Sequence, residues 1–215
     1  SGVATRPIED FDAYREKLNQ FVFRSGLVMK PVFEQAKRAP KRLVYCEGED
    51  TRVLRAVQVV VDEGLARPIV VGRPEVVAAR CENMGLRIQP GRDFELVNPH
   101  DDPRYPDYWR HYHQLLERNG VAPEGARTIL RTNTTVIGAM MVKRGDADAA
   151  ICGTYRTYSW HLRHVLEVLG LRDGVRAASA LSALILPSGT FFLCDTYISP
   201  DPSVDELVEM TELAA

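Results

Sequence analysis

From Arg42 onward the chain repeats one pattern: a short apolar run, a polar or glycine-bearing turn, then a stretch with its apolar residues on one helical face. Arg42-Leu-Val-Tyr-Cys46 is too short for a helix and leads into the acidic turn Glu47-Gly-Glu-Asp50. Beyond it, Val53, Leu54, Val57, Val60 and Val61 recur at helical spacing, with Asp50 placed to cap the helix and Gly64 to end it. Pro68-Ile-Val-Val-Gly72 predicts a second strand, and Pro74 to Met84 a second helix closed by Gly85. Successive strands joined through a helix need a crossover connection and therefore pair in parallel. The fold class expected is α/β, a mostly parallel sheet with flanking helices.

The rest of the chain extends this reading. Asp10 or Asp12 caps a first helix carrying Phe11, Tyr14, Leu18 and Phe21, and Leu27 to Ala36 forms a second, shorter one with Pro31 in its first turn. Phe94 to Val97 is a third strand, followed by the loop Asn98 to Pro103 and by helices over about 105–119, 123–130 and 135–144, with Gly120 and Gly145 as stops. Ala149-Ala-Ile-Cys-Gly153 reads as a buried strand ending in a glycine turn, and Leu162, Val165, Leu166 and Leu169 mark the helix after it. Leu181 to Leu186 and Thr190 to Cys194 form a hairpin through Pro187-Ser188-Gly189. A last helix opens after Pro202, with Ser203 as cap and Glu206 as its capping-box partner. The organisation expected is a helical lead-in over 1–40, a first α/β lobe over 41–135 and part of a second over 136–215. The boundary is sought between Leu130 and Val142, where simple alternation gives way to consecutive helices.

Composition narrows the function classes. The 215 residues are 45% hydrophobic and 26% charged, enough for one large domain or two small ones. With 27 Lys and Arg against 29 Asp and Glu, the net charge of -2 gives no sign of a broad basic surface for nucleic acid and leaves room for a local anion pocket. Every apolar run is interrupted too early to cross a bilayer, so no membrane partner is expected. Cys46, Cys81, Cys152 and Cys194 stand apart, without CxxC spacing, and read as buried thiols of a cytoplasmic protein. The segment Ser1 to Pro7 has neither an initiating Met nor a signal-peptide layout, and is expected to mark a cut within a longer chain.

Ligands of open α/β sheets bind beyond the carboxyl ends of the strands, which directs attention to the turns after Cys46, Gly72, Cys152 and Cys194. Gly153-Thr-Tyr-Arg-Thr157 suits an anion best: Gly153 permits close backbone approach, Thr154, Arg156 and Thr157 supply donors, and a helix amino terminus follows. The competing account is an ordinary strand-to-helix turn. Asp195 and Asp201 have no metal-ligand spacing around them, and Asp201 reads as a helix cap. Glu47-Gly-Glu-Asp50 offers carboxylates to a metal or a hydroxyl, but capping by Asp50 accounts for most of it, and no metal is assigned. His111 and His113 point to different helix faces; His161 and His164 share a face but lack a third ligand, and read as hydrogen-bonded or solvated. GxSxG, Walker, HExxH and GxGxxG motifs are absent.

Three stretches in order, Val44-Tyr-Cys-Glu-Gly-Glu-Asp-Thr-Arg-Val-Leu-Arg-Ala56, Ala139-Met-Met-Val-Lys-Arg-Gly-Asp-Ala-Asp-Ala149 and Phe192-Leu-Cys-Asp-Thr-Tyr-Ile-Ser-Pro-Asp-Pro202, resemble the phosphate acetyltransferase (phosphotransacetylase) superfamily. The resemblance covers Lys41 to Ala215. Tyr14-Arg-Glu-Lys-Leu18, Arg24 to Phe33, Gly91 to Asn98 and Asp107 to Tyr112 are similar, more narrowly, to the phosphotransacetylase-like domain at the carboxyl end of large bacterial NADP-dependent malic enzymes.

This resemblance implies a two-lobed architecture with an incomplete second lobe, and acetyl-CoA or CoA as ligand. It also implies a parent enzyme that decarboxylates malate to pyruvate with NADP and a divalent metal, neither of them held in this domain. The partners implied are the malic enzyme catalytic domain of the same chain and further copies in a homo-oligomer. Working transacetylases typically read Ser-Gly-Ala-x-His-Ser/Thr-Thr where this chain reads Cys152-Gly-Thr-Tyr-Arg-Thr-Tyr158, so Arg156 replaces the family's histidine. Arg163 and, more weakly, Arg131 are implied contacts for the CoA phosphates, and Asp195, in the third stretch, joins the ligand-binding candidates. The Ser-Arg catalytic pair of the family has no counterpart here, so no catalytic residue is assigned. A regulatory acetyl-CoA sensor is the leading expectation, with an active phosphate acetyltransferase and a ligand-free oligomerisation module as alternatives.

Overall fold

A computed structural model describes the backbone of residues 10–186 and 188–215, and the side chains of these residues other than 16–28. Ser1 to Pro7, the side chains of Leu18, Phe21 and Leu27, and Pro187 of the expected hairpin turn lie outside the described residues. The elements are α1 (Phe11–Arg38), β1 (Lys41–Tyr45), α2 (Thr51–Glu63), β2 (Ala66–Val71), α3 (Pro74–Asn83), β3 (Glu95–Val97), α4 (Tyr105–Leu116) with a 3-10 turn (Glu117–Asn119), α5 (Pro123–Thr132), α6 (Thr134–Arg144), β4 (Ala149–Ile151), α7 (Tyr158–Leu169), β5 (Leu181–Leu186), β6 (Gly189–Cys194) and α8 (Val204–Ala214). Among the described residues, no helix is long and apolar enough to cross a membrane.

Residues 36–174 form one compact unit, built on a four-stranded sheet of order β3-β2-β1-β4 with every pair parallel. Strand alternation sorts its side chains. Val44, Cys46, Ile69, Val71 and Val97 face a core completed by α4, α5, α6 and Val168 of α7. Tyr45 and Val70 face the opposite core, which holds Val53, Leu54 and Val57 of α2 and Val77 and Cys81 of α3. A sheet covered on both faces needs apolar residues at successive strand positions, which is why β1 and β2 read as unbroken runs rather than alternating ones. Leu54 is fully buried; its removal to Ala would cost about 2–5 kcal/mol.

Local signals place the helices. Asp50 caps α2, accepting the Arg52 amide at 2.7 Å, and Gly64 ends the helix in the left-handed conformation. Pro74 opens α3, and Asn133 caps α6 by accepting the Val136 amide. Two expectations need correction. The two lead-in helices are one continuous helix, α1, capped by Asp10 through the Asp12 and Ala13 amides and carrying Pro31 inside it. An interior proline forfeits one backbone bond and kinks a helix, which need not end one this long. The strand expected to be buried at 149–153 is the exposed β4, because it is the sheet's edge and pairs only with β1. That pairing carries the sheet across the boundary expected between residues 135 and 136.

The second compact unit takes in residues 175–215 with described residues before 36. It contains the β5–β6 hairpin, antiparallel from Leu181↔Cys194 to Leu186↔Gly189. Helix α8 follows, with the expected capping box: Ser203 accepts the Glu206 amide, and Glu206 accepts the Ser203 amide at 2.7 Å. Ser203, rather than Asp201, is the cap, because Asp201 lies two residues too early to reach the first free amides of the helix.

Candidate functional site

The strand order reverses between β1 and β4. Helices α2 and α3 lead away from β1 toward β3 on one face, and α4, α5 and α6 return to β4 on the other. Such a reversal leaves a crevice beyond the carboxyl ends of the two strands, where no helix crosses. Two turns meet there: 47–50 after β1, and 153–157 after β4.

Each carboxylate of the first turn is engaged. Glu47, only 6% exposed, accepts the Gly153 amide at 2.9 Å and so joins the two turns directly. Glu49 accepts from Arg73 through both oxygens, and this guanidinium holds its carboxyl below the usual range. Asp50, besides capping α2, takes both hydrogen bonds of Arg52, which bring its carboxyl down to about 2. Arg52 in turn donates to the Thr154 carbonyl at 3.1 Å. Gly48 is required in this turn, since a Cβ there would overlap Val70 and the Val71 backbone.

The second turn is held from the inside by His161. Its Nε2 donates to the Tyr155 carbonyl at 2.6 Å, and its Nδ1 pairs with Thr135 Oγ1 at 2.8 Å, with Glu47 Oε1 3.9 Å from the same nitrogen. A carbonyl can only accept, so Nε2 carries the proton. Gly153 and Arg156 have positive φ, 113° and 65°. For arginine the left-handed region costs about 1–2 kcal/mol, and stacking of its guanidinium 4.5 Å from the Trp160 ring offsets part of this. Thr157 gives α7 no side-chain cap; its hydroxyl meets Ser159 instead. The Thr154 hydroxyl is buried without a partner.

Beneath the turns, the Cys46 and Cys152 thiols interact. The hydrogen bond from Cys46 draws the Cys152 thiol down to about 7, against burial and with help from His161, while the same contact and burial push Cys46 well up. A pocket of about 220 Å3 opens beside Cys46, lined among others by Glu47, Glu49, Arg73, His100, Arg131 and Tyr155. A larger concavity of about 930 Å3 lies at the opposite strand ends, where β3 is too short to cover the start of β2.

Of the residues expected from sequence, Gly153, Thr154, Arg156 and Thr157 form one turn, and Arg131, stacked 4.8 Å from the Tyr105 ring, reaches the adjoining pocket. Arg163 is exposed on α7 and pairs with Glu167 at 3.6 Å, on a different helix face from the buried His161 and His164. Asp195 belongs to the other compact unit. It follows an antiparallel strand, so the rule for parallel strand ends does not apply to it. Its oxygens are taken by the amides of Ala180, Ile198 and Ser199; burial opposes its ionisation, and these bonds still hold the carboxyl low. From sequence, Glu47 is a carboxylate offered to a metal or a hydroxyl and His161 a hydrogen-bonded or solvated histidine, neither of them connected to the 153–157 turn, and Thr135 carries no signal at all. Only the i, i+3 pairing of His161 with His164 hinted at a buried role. Among the described residues, no three His, Cys, Asp or Glu side chains gather as a metal site would require.

Against known proteins, residues 27–215 match the family described as phosphate acetyl/butaryl transferase. The chain is 59% identical over 216 residues to an NAD-dependent malic enzyme of Rhizobium meliloti (strain 1021) and 53% identical over 215 residues to an NADP-dependent malic enzyme of Escherichia coli (strain K12). Each match takes in 100% of this chain, which spans 28% of the length of either relative. In fold it is similar to a phosphotransacetylase from Streptococcus pyogenes, with a TM-score of 0.76 and 24% identity, over 85% of this chain and 56% of that one.

Proposed function

The chain belongs to the phosphate acetyl/butaryl transferase family, and from that premise we propose that it is the regulatory, acetyl-CoA-binding portion of a malic enzyme rather than a working transacetylase. The observation that carries this reading is Arg156: held in the left-handed region and stacked on Trp160, it sits where the family resemblance expects a histidine. An arginine keeps its charge and cannot shuttle a proton, whereas it binds phosphate well. The uncapped start of α7 adds backbone donors of the same sign. Strain at such a turn persists where the surroundings over-determine it, as Glu47, His161 and Arg52 do here.

In this reading the whole protein oxidises and decarboxylates malate to pyruvate with NAD or NADP and a divalent metal, all handled outside this chain. Acetyl-CoA, or CoA, acts as effector by binding one state of the protein more tightly than another. Cytoplasmic location and a homo-oligomeric assembly belong to the same proposal. The test is calorimetric titration of the full-length protein with acetyl-CoA and with CoA, alongside malate turnover and a coupled assay for acetyl phosphate. Saturable binding that shifts malate turnover, with no acetyl phosphate formed, is expected. Acetyl phosphate formation at about 1 per second or faster, or no binding of either nucleotide, overturns the reading.

A further inference from the structure

Cys46 and Cys152 occupy the first positions after β1 and β4. Tyr45 is in register with Ile151, and the Cys46 amide donates to the Ile151 carbonyl at 3.0 Å, so the parallel ladder runs on past both strands and sets the cysteines side by side. Adjacent strands lie about 4.8 Å apart, within the Cα separation of about 4.4–6.8 Å that a disulfide bridges. Both side chains occupy the α6 face. Cys46 Sγ fills the space that a Cβ on Gly138 would take, and Cys152 packs against the same core cluster. Their exposure differs: Cys46 is 1% exposed and Cys152 half-buried, so an oxidant arriving from solvent meets Cys152 first.

We infer that Cys46 and Cys152 form a redox-responsive dithiol that closes to a disulfide across the ends of β1 and β4 on exposure to a peroxide. The shift of Cys152 toward neutrality is consistent with the attacking role, since the thiolate is the nucleophile. The sulfur of Cys152 attacks one peroxide oxygen; the O–O bond breaks, a sulfenic acid forms and hydroxide leaves, taking the thiol proton as water. The sulfur of Cys46 then attacks that of Cys152: the S–S bond forms, the S–O bond breaks, and the departing hydroxide takes the Cys46 proton as a second water. Two thiols are oxidised and one peroxide is reduced to two waters. Glu47 and His161 face the pair from the turn after β1 and from α7. The bond would anchor the residue immediately before Gly153, and with it the turn bearing Arg156. This inference stands independently of acetyl-CoA binding.

The experiment treats the full-length protein with hydrogen peroxide, alkylates remaining thiols with N-ethylmaleimide under unfolding conditions, and maps the digest by mass spectrometry. A linked peptide pair containing Cys46 and Cys152, both lost from the alkylated pool together and recovered with dithiothreitol, is expected. In Cys46→Ser, Cys152 should instead proceed to sulfinic acid. The inference is overturned if, in the unaltered protein, Cys46 stays alkylatable while Cys152 is over-oxidised, if Cys152 links to Cys81 or Cys194, or if Cys152 stays reduced at a peroxide dose that oxidises exposed Cys194. The mapping of the unaltered protein decides the matter even where a variant fails to fold.

Discussion

Glu47 and Gly153, 106 residues apart in sequence, share a hydrogen bond of 2.9 Å from the Gly153 amide to the Glu47 carboxylate. It ties the turn after β1 directly to the turn after β4, and its acceptor, Glu47, is buried.

Replacing Glu47 with Ala leaves the Gly153 amide without its acceptor, a loss of about 1–3 kcal/mol. Glu47→Gln keeps an acceptor oxygen and should lose less. Urea unfolding of the two variants beside the parent protein gives the ranking; equal stability of all three would show that the bond contributes nothing.

Arg156→Gly should separate stability from binding. Glycine removes a left-handed penalty of about 1–2 kcal/mol and forfeits a cation–π contact of about 0.5–1 kcal/mol at an exposed site, so stability should hold or rise slightly. Affinity for acetyl-CoA should fall about tenfold or more, the loss of one charge-assisted hydrogen bond. Calorimetry showing undiminished affinity would take Arg156 out of the site.

Arg163→Ala removes an exposed pairing with Glu167, worth within about 0.5 kcal/mol of stability. Any change in acetyl-CoA affinity therefore reports a contact rather than a folding defect. A fall of about tenfold is expected if the outward face of α7 meets the CoA phosphates, and an unchanged titration assigns the phosphates elsewhere.

Acid should weaken the fold through Asp50. Its carboxyl is lowered from 3.8 to about 2 by Arg52, so the folded state binds the proton less readily than the unfolded one. Its contribution is therefore complete above about pH 4 and lost as pH falls through about 2. Urea midpoints measured from pH 5 to pH 2 should decline less steeply in Asp50→Asn; parallel curves would assign the acid sensitivity to other carboxylates.

The β5–β6 hairpin exposes apolar residues at successive positions, including Phe191, Phe192 and Leu193 on one strand and Leu181, Leu184 and Leu186 on the other. Open strand edges with bare apolar faces tend to pair. The 215-residue chain should therefore self-associate in light scattering, and Phe192→Ser should shift it toward monomer; a monodisperse parent would contradict this.

Elements whose causes are local were legible in the sequence. Asp50, Gly64, Pro74, Ser203 and Glu206 act within a few residues of themselves, so spacing alone locates the ends of α2, α3 and α8. Pro31 misled, because whether a proline ends a helix or only bends it depends on the turns to either side. The 153–157 turn was legible as a glycine with donors before a helix, but what holds it was not. Glu47, Thr135 and His161 come from three elements distant in sequence, and their convergence follows from the strand order. For Asp195, a candidate through the resemblance, nothing in the sequence signals that its oxygens accept the Ile198 and Ser199 amides.

The pairing of β4 with β1 also sets a timetable. Strands β1, β2 and β3 lie within residues 41–97 and can assemble from neighbouring units, whereas β4 reaches β1 only after α4, α5 and α6 have been made. Contacts closed over so long a loop carry a greater closure cost and are expected to form after the local ones. During synthesis the growing chain therefore holds most of its sheet before it holds the crevice. Conversely, a folded chain can release β4 and the 153–157 turn while β1, β2 and β3 stay paired, and early deuterium uptake at the Cys46 and Gly153 amides would mark that opening.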